Sequence, residues 1–215
     1  GYKRALAAKG AGLVGLSKIS VQTGTSHGGV VLPDGSIAQV ALDFDTLEKL
    51  SRVGREVYGL AGAVQHGAST LPEEMFDRFP KTETAEIHLA TGFQNLLYDH
   101  EAMPADLRQE IFKYLAAHHA DERKSTDMDT QFFYRARKRA FGLFKAQFWA
   151  LPEPTRRAFS QTLEEKFAFF YDKLNVANTR DLVARYVKPV AVHKPMPGAP
   201  IVASAEAAAV KGLAD

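Results

Sequence analysis

Hydrophobic and polar positions along the first hundred residues alternate between two periods. Tyr2 to Lys9 reads as a helix. Lys18 to Thr23 (KISVQT) is a short β-branched run that predicts a strand, and the polar, Gly-rich stretch Gly24 to Gly29 predicts a turn. Val30 to Val40 predicts a small hairpin, because Pro33-Asp34-Gly35 separates two apolar arms with strong turn residues. Asp43 or Asp45 then caps a helix to about Tyr58, with Phe44, Leu47, Leu50, Val53 and Val57 expected on its core face. Leu60 to Gln65 and Glu86 to Ala90 predict two more strands, with a helix from Pro72 to Phe79 between them. Strands that alternate with helices in this way imply a parallel sheet with crossover connections.

From residue 105 onward the period is helical throughout. Ala105–His119, Asp129–Ala150, Thr155–Leu174 and Thr179–Val187 are the predicted helices. Phe141, Phe144, Phe148 and Leu151 share a face of the second, and Phe159, Leu163, Phe167, Phe170 and Leu174 are in register on the third. After Lys188 the sequence KPVAVHKPMPGAP has no period and predicts an extended arm, with a last short helix from Ser204. The expected organisation is an α/β part over residues 1–102, a helical extension over 103–187 and an arm over 188–215.

Composition narrows the chemistry. A net charge of +2, with 24% charged residues, gives no reason to expect nucleic acid or an anionic membrane as partner. No apolar run reaches the roughly 18 residues that a membrane span needs, and the cytosol is the expected compartment. There is no cysteine, so a metal site here would use imidazole, carboxylate or water, a donor set that suits zinc, manganese or iron. Arg135-Ala-Arg137-Lys138-Arg139 is a basic run read as a solvated or intersubunit face. His118 and His119 are adjacent on a helix, face different ways and make a poor metal pair.

Each predicted strand ends in a small, Gly-rich element with a polar side chain at its head: TSHGG (Thr25 to Gly29), QHGAS (Gln65 to Ser69) and HLATG (His88 to Gly92). Ligands of parallel α/β folds bind at the carboxyl ends of strands. A glycine behind a histidine lets backbone N–H groups approach an anion, and a following Ser or Thr adds a hydroxyl. His27 and His66 lie 66 − 27 = 39 residues apart, about one β-α unit, so adjacent strands bring both to one pocket. From the residues alone, a shared metal and a plain hydrogen-bonding role for this pair are evenly matched.

SVQTGTSHGG, GAVQHGAST and EIHLATGFQN, in this order and spacing, resemble the last three strand-end motifs of class II, metal-dependent fructose-bisphosphate aldolases. The resemblance covers about Ile19 to Asn95 and is most specific in the two His-Gly turns. It implies the last three β-α units of a TIM (β/α)8 barrel. It implies zinc, or another divalent metal, on His27 and His66. Phosphate or substrate contacts would fall on Gly28, Gly67, Ser69, His88 and Thr91, and a monovalent cation could help hold the phosphate. The implied reaction is cleavage of fructose 1,6-bisphosphate to dihydroxyacetone phosphate and glyceraldehyde 3-phosphate, with zinc stabilising the enediolate. Tagatose bisphosphate, a non-catalytic aldolase-like subunit, and an isomerase or epimerase on the same barrel are the alternatives. Three departures bear on substrate choice. Ala68 stands for the family's second glycine, His88 and Ala90 for its Asn and Asp/Asn, and the lysine usual after the first His-Gly is missing. No catalytic residue is expected on this chain. The proton-moving Asp and a third zinc-binding His would come from an N-terminal half of roughly five more β-α units. A homodimer or larger homo-oligomer is expected.

Overall fold

The computed structural model describes residues 1–10, 12–25, 29–38 and 41–189. His27 and Gly28, and the predicted helix from Ser204, lie outside them. The described chain is a mixed α/β structure, mostly helical, with a three-stranded parallel sheet. Its elements in chain order are α1 (Tyr2–Lys9), β1 (Ile19–Ser20), α2 (Phe44–Glu56), β2 (Ala63–Gln65), α3 (Arg78–Lys81), β3 (Glu86–Ile87), α4 (Thr91–Tyr98), α5 (Ala105–His118), α6 (Asp129–Ala136), α7 (Ala140–Leu143), α8 (Lys145–Trp149), α9 (Glu153–Lys173) and α10 (Arg180–Tyr186). Residues 1–177 form one compact unit and residues from 178 onward a second. Among the described residues of the second unit, α10 is a short helix starting after Thr179.

The sheet order is β1-β2-β3, all parallel, with Ile19 opposite Ala63 and Val64 opposite Glu86. The pairing extends past the regular strands: the His88 N–H donates to the Gln65 carbonyl at 2.9 Å, and the Val21 N–H to the Val64 carbonyl at 3.4 Å. β2 is wholly buried, whereas both residues of β1 are exposed. The predicted hairpin is present over the described part, with Val31 bridging Ile37 and Gly35 taking the positive φ of 87° that its turn needs.

Several expected elements differ. On α2 the buried positions are Phe44, Leu47, Ser51 and Gly54, while Leu50 and Val53 are 41% and 42% exposed. The helix turns its small residues to the sheet because backbone comes close there. The Ser51 hydroxyl donates to the Glu83 carbonyl at 2.7 Å and accepts from the Ala63 N–H at 3.1 Å. The predicted helix Pro72–Phe79 is a 3-10 turn at Glu73–Met75 followed by α3, whose Pro80 has no N–H to extend a longer ladder backwards. Asp129–Ala150 is broken into α6, a 3-10 turn at Arg137–Arg139, α7 and α8. At that break the buried Tyr98 hydroxyl donates to the Arg137 carbonyl at 2.9 Å. The helix α4 was not expected from the sequence.

Within the basic run Lys138 and Arg139 are exposed, as expected, but Arg137 is not. Arg137 is buried, its guanidinium 2.6 Å from both Asp99 Oδ1 and Asn95 Oδ1 and lying over the Tyr98 and Tyr134 rings. Arg135 pairs with Asp127, and Arg139 with Glu122.

Two apolar clusters fill the first unit. One, under the sheet, joins Phe44, Leu47, Ala63, Ala68, Phe76, Phe79 and Phe170. The other, among the helices, joins Tyr98, Ile111, Leu115, Phe132, Phe144 and Phe159. α9 contributes to both, with Phe159 in one and Phe170 in the other. Phe93 of α4 stacks on Phe167 of α9 at 4.7 Å between ring centres.

Candidate metal and phosphate site at the strand ends

The carboxyl ends of β2 and β3 open onto a cleft of about 530 Å³ lined by His66, Gly67, Ser69, Glu86, Ile87, His88, Leu89, Ala90 and Thr91. Five residues singled out from the sequence (His66, Gly67, Ser69, His88 and Thr91) thus face one space. His27 and Gly28 lie outside the described residues.

The parallel register creates this convergence. His66 and His88 each follow the end of their strand, and the His88 N–H to Gln65 carbonyl bond fixes the two side by side. Their rings are 4.3 Å apart between centres and tilted by 49°. His66 is half-buried and His88 exposed. After His66 the chain turns sharply at Gly67, whose φ of 69° is left-handed and strained for a side chain bearing a Cβ. A 3-10 turn, Ala68–Thr70, then brings Ser69 back across the cleft. Its hydroxyl accepts the Ala90 N–H at 2.8 Å, capping the approach to α4. Gly92 permits this closeness, since a Cβ there would stand 2.7 Å from the Ser69 carbonyl oxygen.

A polar cluster beneath the cleft ties β1 to β2. Gln65 is buried, and its amide accepts from the Thr23 hydroxyl at 2.7 Å and donates to Thr25 Oγ1 at 2.9 Å. The Thr25 hydroxyl in turn donates to the His66 carbonyl at 2.7 Å. On the other side of residues 26–28, Gly29 has a φ of 69° and lies against Thr70, where an added Cβ would sit 2.8 Å from its hydroxyl oxygen. Both flanks of the TSHGG motif therefore abut the turn that carries His66.

Glu86 and Lys18 were not anticipated as part of the site. Glu86 Oε1 pairs with His88 Nε2, and Glu86 Oε2 with the Lys18 ammonium. The Lys18 ammonium, and after it the His88 imidazole, holds the Glu86 carboxyl below the usual carboxylate range. The sequence carried a signal for half of this: residues two apart on a strand project to the same face, which pairs Glu86 with His88. Lys18 is brought in by sheet register and had no local signal.

Among the described residues no three His, Cys, Asp or Glu groups converge closely enough to hold a metal ion. The described part of the site offers one half-buried imidazole at a strand end, a second imidazole held by a carboxylate, and a turn rich in hydroxyl and N–H donors. No helix among the described residues is long and apolar enough to cross a membrane. No protein-family model matches the chain, and no curated protein does either.

Proposed function

We propose that this chain supplies the last three strand ends of a TIM-barrel aldolase that depends on a divalent metal and acts on a phosphorylated ketose. The supporting observation is the meeting of His66, Gly67, Ser69, His88 and Thr91 in one cleft at the carboxyl ends of parallel strands, where such folds bind ligands. In this reading His66 and His27 are zinc ligands. His27 is two residues from Thr25 and two from Gly29, and both of these anchors touch the His66 turn. The donor chemistry fits, since neutral imidazoles suit zinc and the chain has no competing thiolate. A further His and the proton-moving Asp come from sequence outside this chain, as do the remaining strands. Three strands cannot close a barrel, and β1, an exposed edge strand, is where another strand would pair.

The divalent ion supplies Lewis-acid polarisation of the ketose carbonyl when bound. This chain's own residues bind and orient. Ser69 already accepts the Ala90 N–H, so its hydroxyl proton is free to donate to a phosphate oxygen. Gly67 exposes backbone beside it, and Thr91 adds a hydroxyl at the start of α4. A monovalent cation could share this phosphate end of the cleft. Glu86 holds the His88 imidazole in place against the sugar hydroxyls. Fructose 1,6-bisphosphate is the first candidate substrate. His88 stands where the resembling family has Asn, which makes tagatose bisphosphate the second.

The test is a coupled triose-phosphate assay on the protein with its barrel complete. Cleavage is expected to vanish on exhaustive chelation, to return with zinc, and to fall at least about a hundredfold in His66→Ala. Borohydride with substrate is expected to trap no covalent adduct. Activity that survives complete metal removal contradicts the proposal.

A further inference from the structure

Charge is spread unevenly along the chain. Between Asp129 and Glu153 there is no acidic residue, while Arg135, Arg137, Lys138, Arg139 and Lys145 are all cationic. The net charge of +2, which gave no reason to expect an anionic surface as partner, conceals this stretch. The stretch is helical almost throughout, over α6, the 3-10 turn at Arg137–Arg139, α7 and α8. It packs inward through Ala136, Ala140 and Phe144, which are spaced four apart. The exposed positions of α7 and α8 are Gly142, Leu143, Lys145, Ala146, Gln147 and Trp149. Two of these are large and apolar, Leu143 at 56% and Trp149 at 70% exposure. Arg135, Arg137 and Arg139 are each offset by a carboxylate, from Asp127, Asp99 and Glu122. Lys138 and Lys145 have no carboxylate partner among the described residues, and the Lys145 ammonium lies over the Trp149 ring, 4.3 Å from its centre.

We propose that the outward side of this segment docks on an anionic lipid surface. Singly exposed apolar side chains need no partner. Here they stand in an acid-free stretch with two unpaired lysines, and that charge calls for an acidic partner. A second copy seated symmetrically on the same side would oppose lysines to lysines. A nucleic acid would give Trp149 a stacking partner but leave the aliphatic Leu143 without one. An acidic protein would have to offer a pocket to each protruding side chain, whereas a bilayer interface needs none. The lipid surface suits all four groups. The indole sits at headgroup level, Leu143 reaches the acyl boundary, and Lys138 and Lys145 meet lipid phosphates and carboxylates. The contact is peripheral, since no described helix is long and apolar enough to cross a membrane. Two lysines and two apolar side chains make it weak and reversible. This docking does not depend on the chemistry at the strand ends.

Trp149 is the only tryptophan of the chain, so its fluorescence reports on this spot. The full chain is mixed with vesicles of equimolar phosphatidylcholine and phosphatidylserine, and with vesicles of phosphatidylcholine alone. Binding is read by co-sedimentation and by Trp149 emission. The anionic vesicles are expected to bind at least about tenfold more tightly, to shift the emission to the blue, and to release the protein at high salt. Lys138→Gln combined with Lys145→Gln is expected to weaken binding by at least about tenfold. Both positions are exposed, so circular dichroism is expected to stay unchanged. Lys138→Arg combined with Lys145→Arg is expected to bind as the wild type does. Absence of binding to the anionic vesicles overturns the docking. Binding that leaves the emission unmoved, or that the double glutamine variant keeps in full, overturns it too, since the contact then lies elsewhere. An emission shift with polyglutamate or a single-stranded oligonucleotide, but not with vesicles, assigns this side to an acidic protein or a nucleic acid and overturns the lipid partner.

Discussion

At the scale of single residues, the cleft depends on two contacts made by Ser69. Its hydroxyl caps the start of α4, and its carbonyl is approached by Gly92. In Ser69→Ala the Ala90 N–H loses its acceptor, which costs about 1 kcal/mol of stability. In the aldolase reading the same change removes a phosphate donor, so KM for the phosphorylated ketose is expected to rise about tenfold with little change in kcat. Equal losses in both parameters would argue against a binding role. Gly92→Ala sets two effects against each other. Alanine favours the helix by roughly 1 kcal/mol, but its Cβ would lie 2.7 Å from a backbone carbonyl, and forced overpacking costs about 1–3 kcal/mol. The clash wins, so urea denaturation is expected to show Gly92→Ala less stable than the wild type. Tyr98 gives a pH dependence. Burial raises its hydroxyl to about 12, above the ordinary value of 10. A raised folded value means the native state holds this proton longer than the unfolded chain. The associated stability is fully present below about pH 10 and is lost as pH rises towards 12. Tyr98→Phe is expected to flatten that alkaline decline while costing about 1 kcal/mol at neutral pH for its bond to the Arg137 carbonyl.

At the scale of elements, α2 shows how far periodicity reaches. A helical spacing of apolar residues placed Phe44 and Leu47 correctly on the core face and Leu50 and Val53 incorrectly. Both stripes satisfy the 3.6-residue period, and the choice between them was made by Ser51 and Gly54, which are small enough to meet the sheet. Leu47→Ala is therefore expected to cost about 2–5 kcal/mol and Leu50→Ala less than about 1 kcal/mol by thermal denaturation. The parallel strands and the turn after β2 were legible because β-branched runs and the His66-Gly67 pair are local signals. Helix α4 was hidden because its start, Ala90-Thr91-Gly92, has no side-chain cap of its own and borrows one from Ser69. The break in residues 129–150 was hidden for a similar reason, since Tyr98 reaches it from 39 residues away. Likewise Lys18 enters the site through sheet register, and Gln131 reaches the hairpin through a contact spanning 100 residues. What sequence could not show is what arrives from elsewhere in the chain.

At the scale of the first compact unit, α9 links two cores that sequence alone would separate at about residue 102. Phe159 sits among the helices, Phe170 sits beneath the sheet, and Phe76 lies 4.8 Å from the Phe170 ring. Lys166 on the same helix pairs with Glu73. A helix rooted in both clusters makes their unfolding one event. Far-ultraviolet circular dichroism and Trp149 fluorescence are expected to give coincident urea transitions in residues 1–177. Phe170→Ala is expected to destabilise both signals together, by about 3–5 kcal/mol. A first transition confined to one signal would mean that the clusters unfold independently.

The central claim is that His66 shares one divalent ion with His27. Anomalous X-ray diffraction at the zinc absorption edge, from crystals of the protein with its barrel complete and loaded with zinc, tests it most directly. The predicted result is a single peak about 2.0–2.1 Å from a ring nitrogen of each of these two histidines. A zinc-loaded crystal with no such peak at His66, or with a peak that His66 ligates and His27 does not, would contradict it.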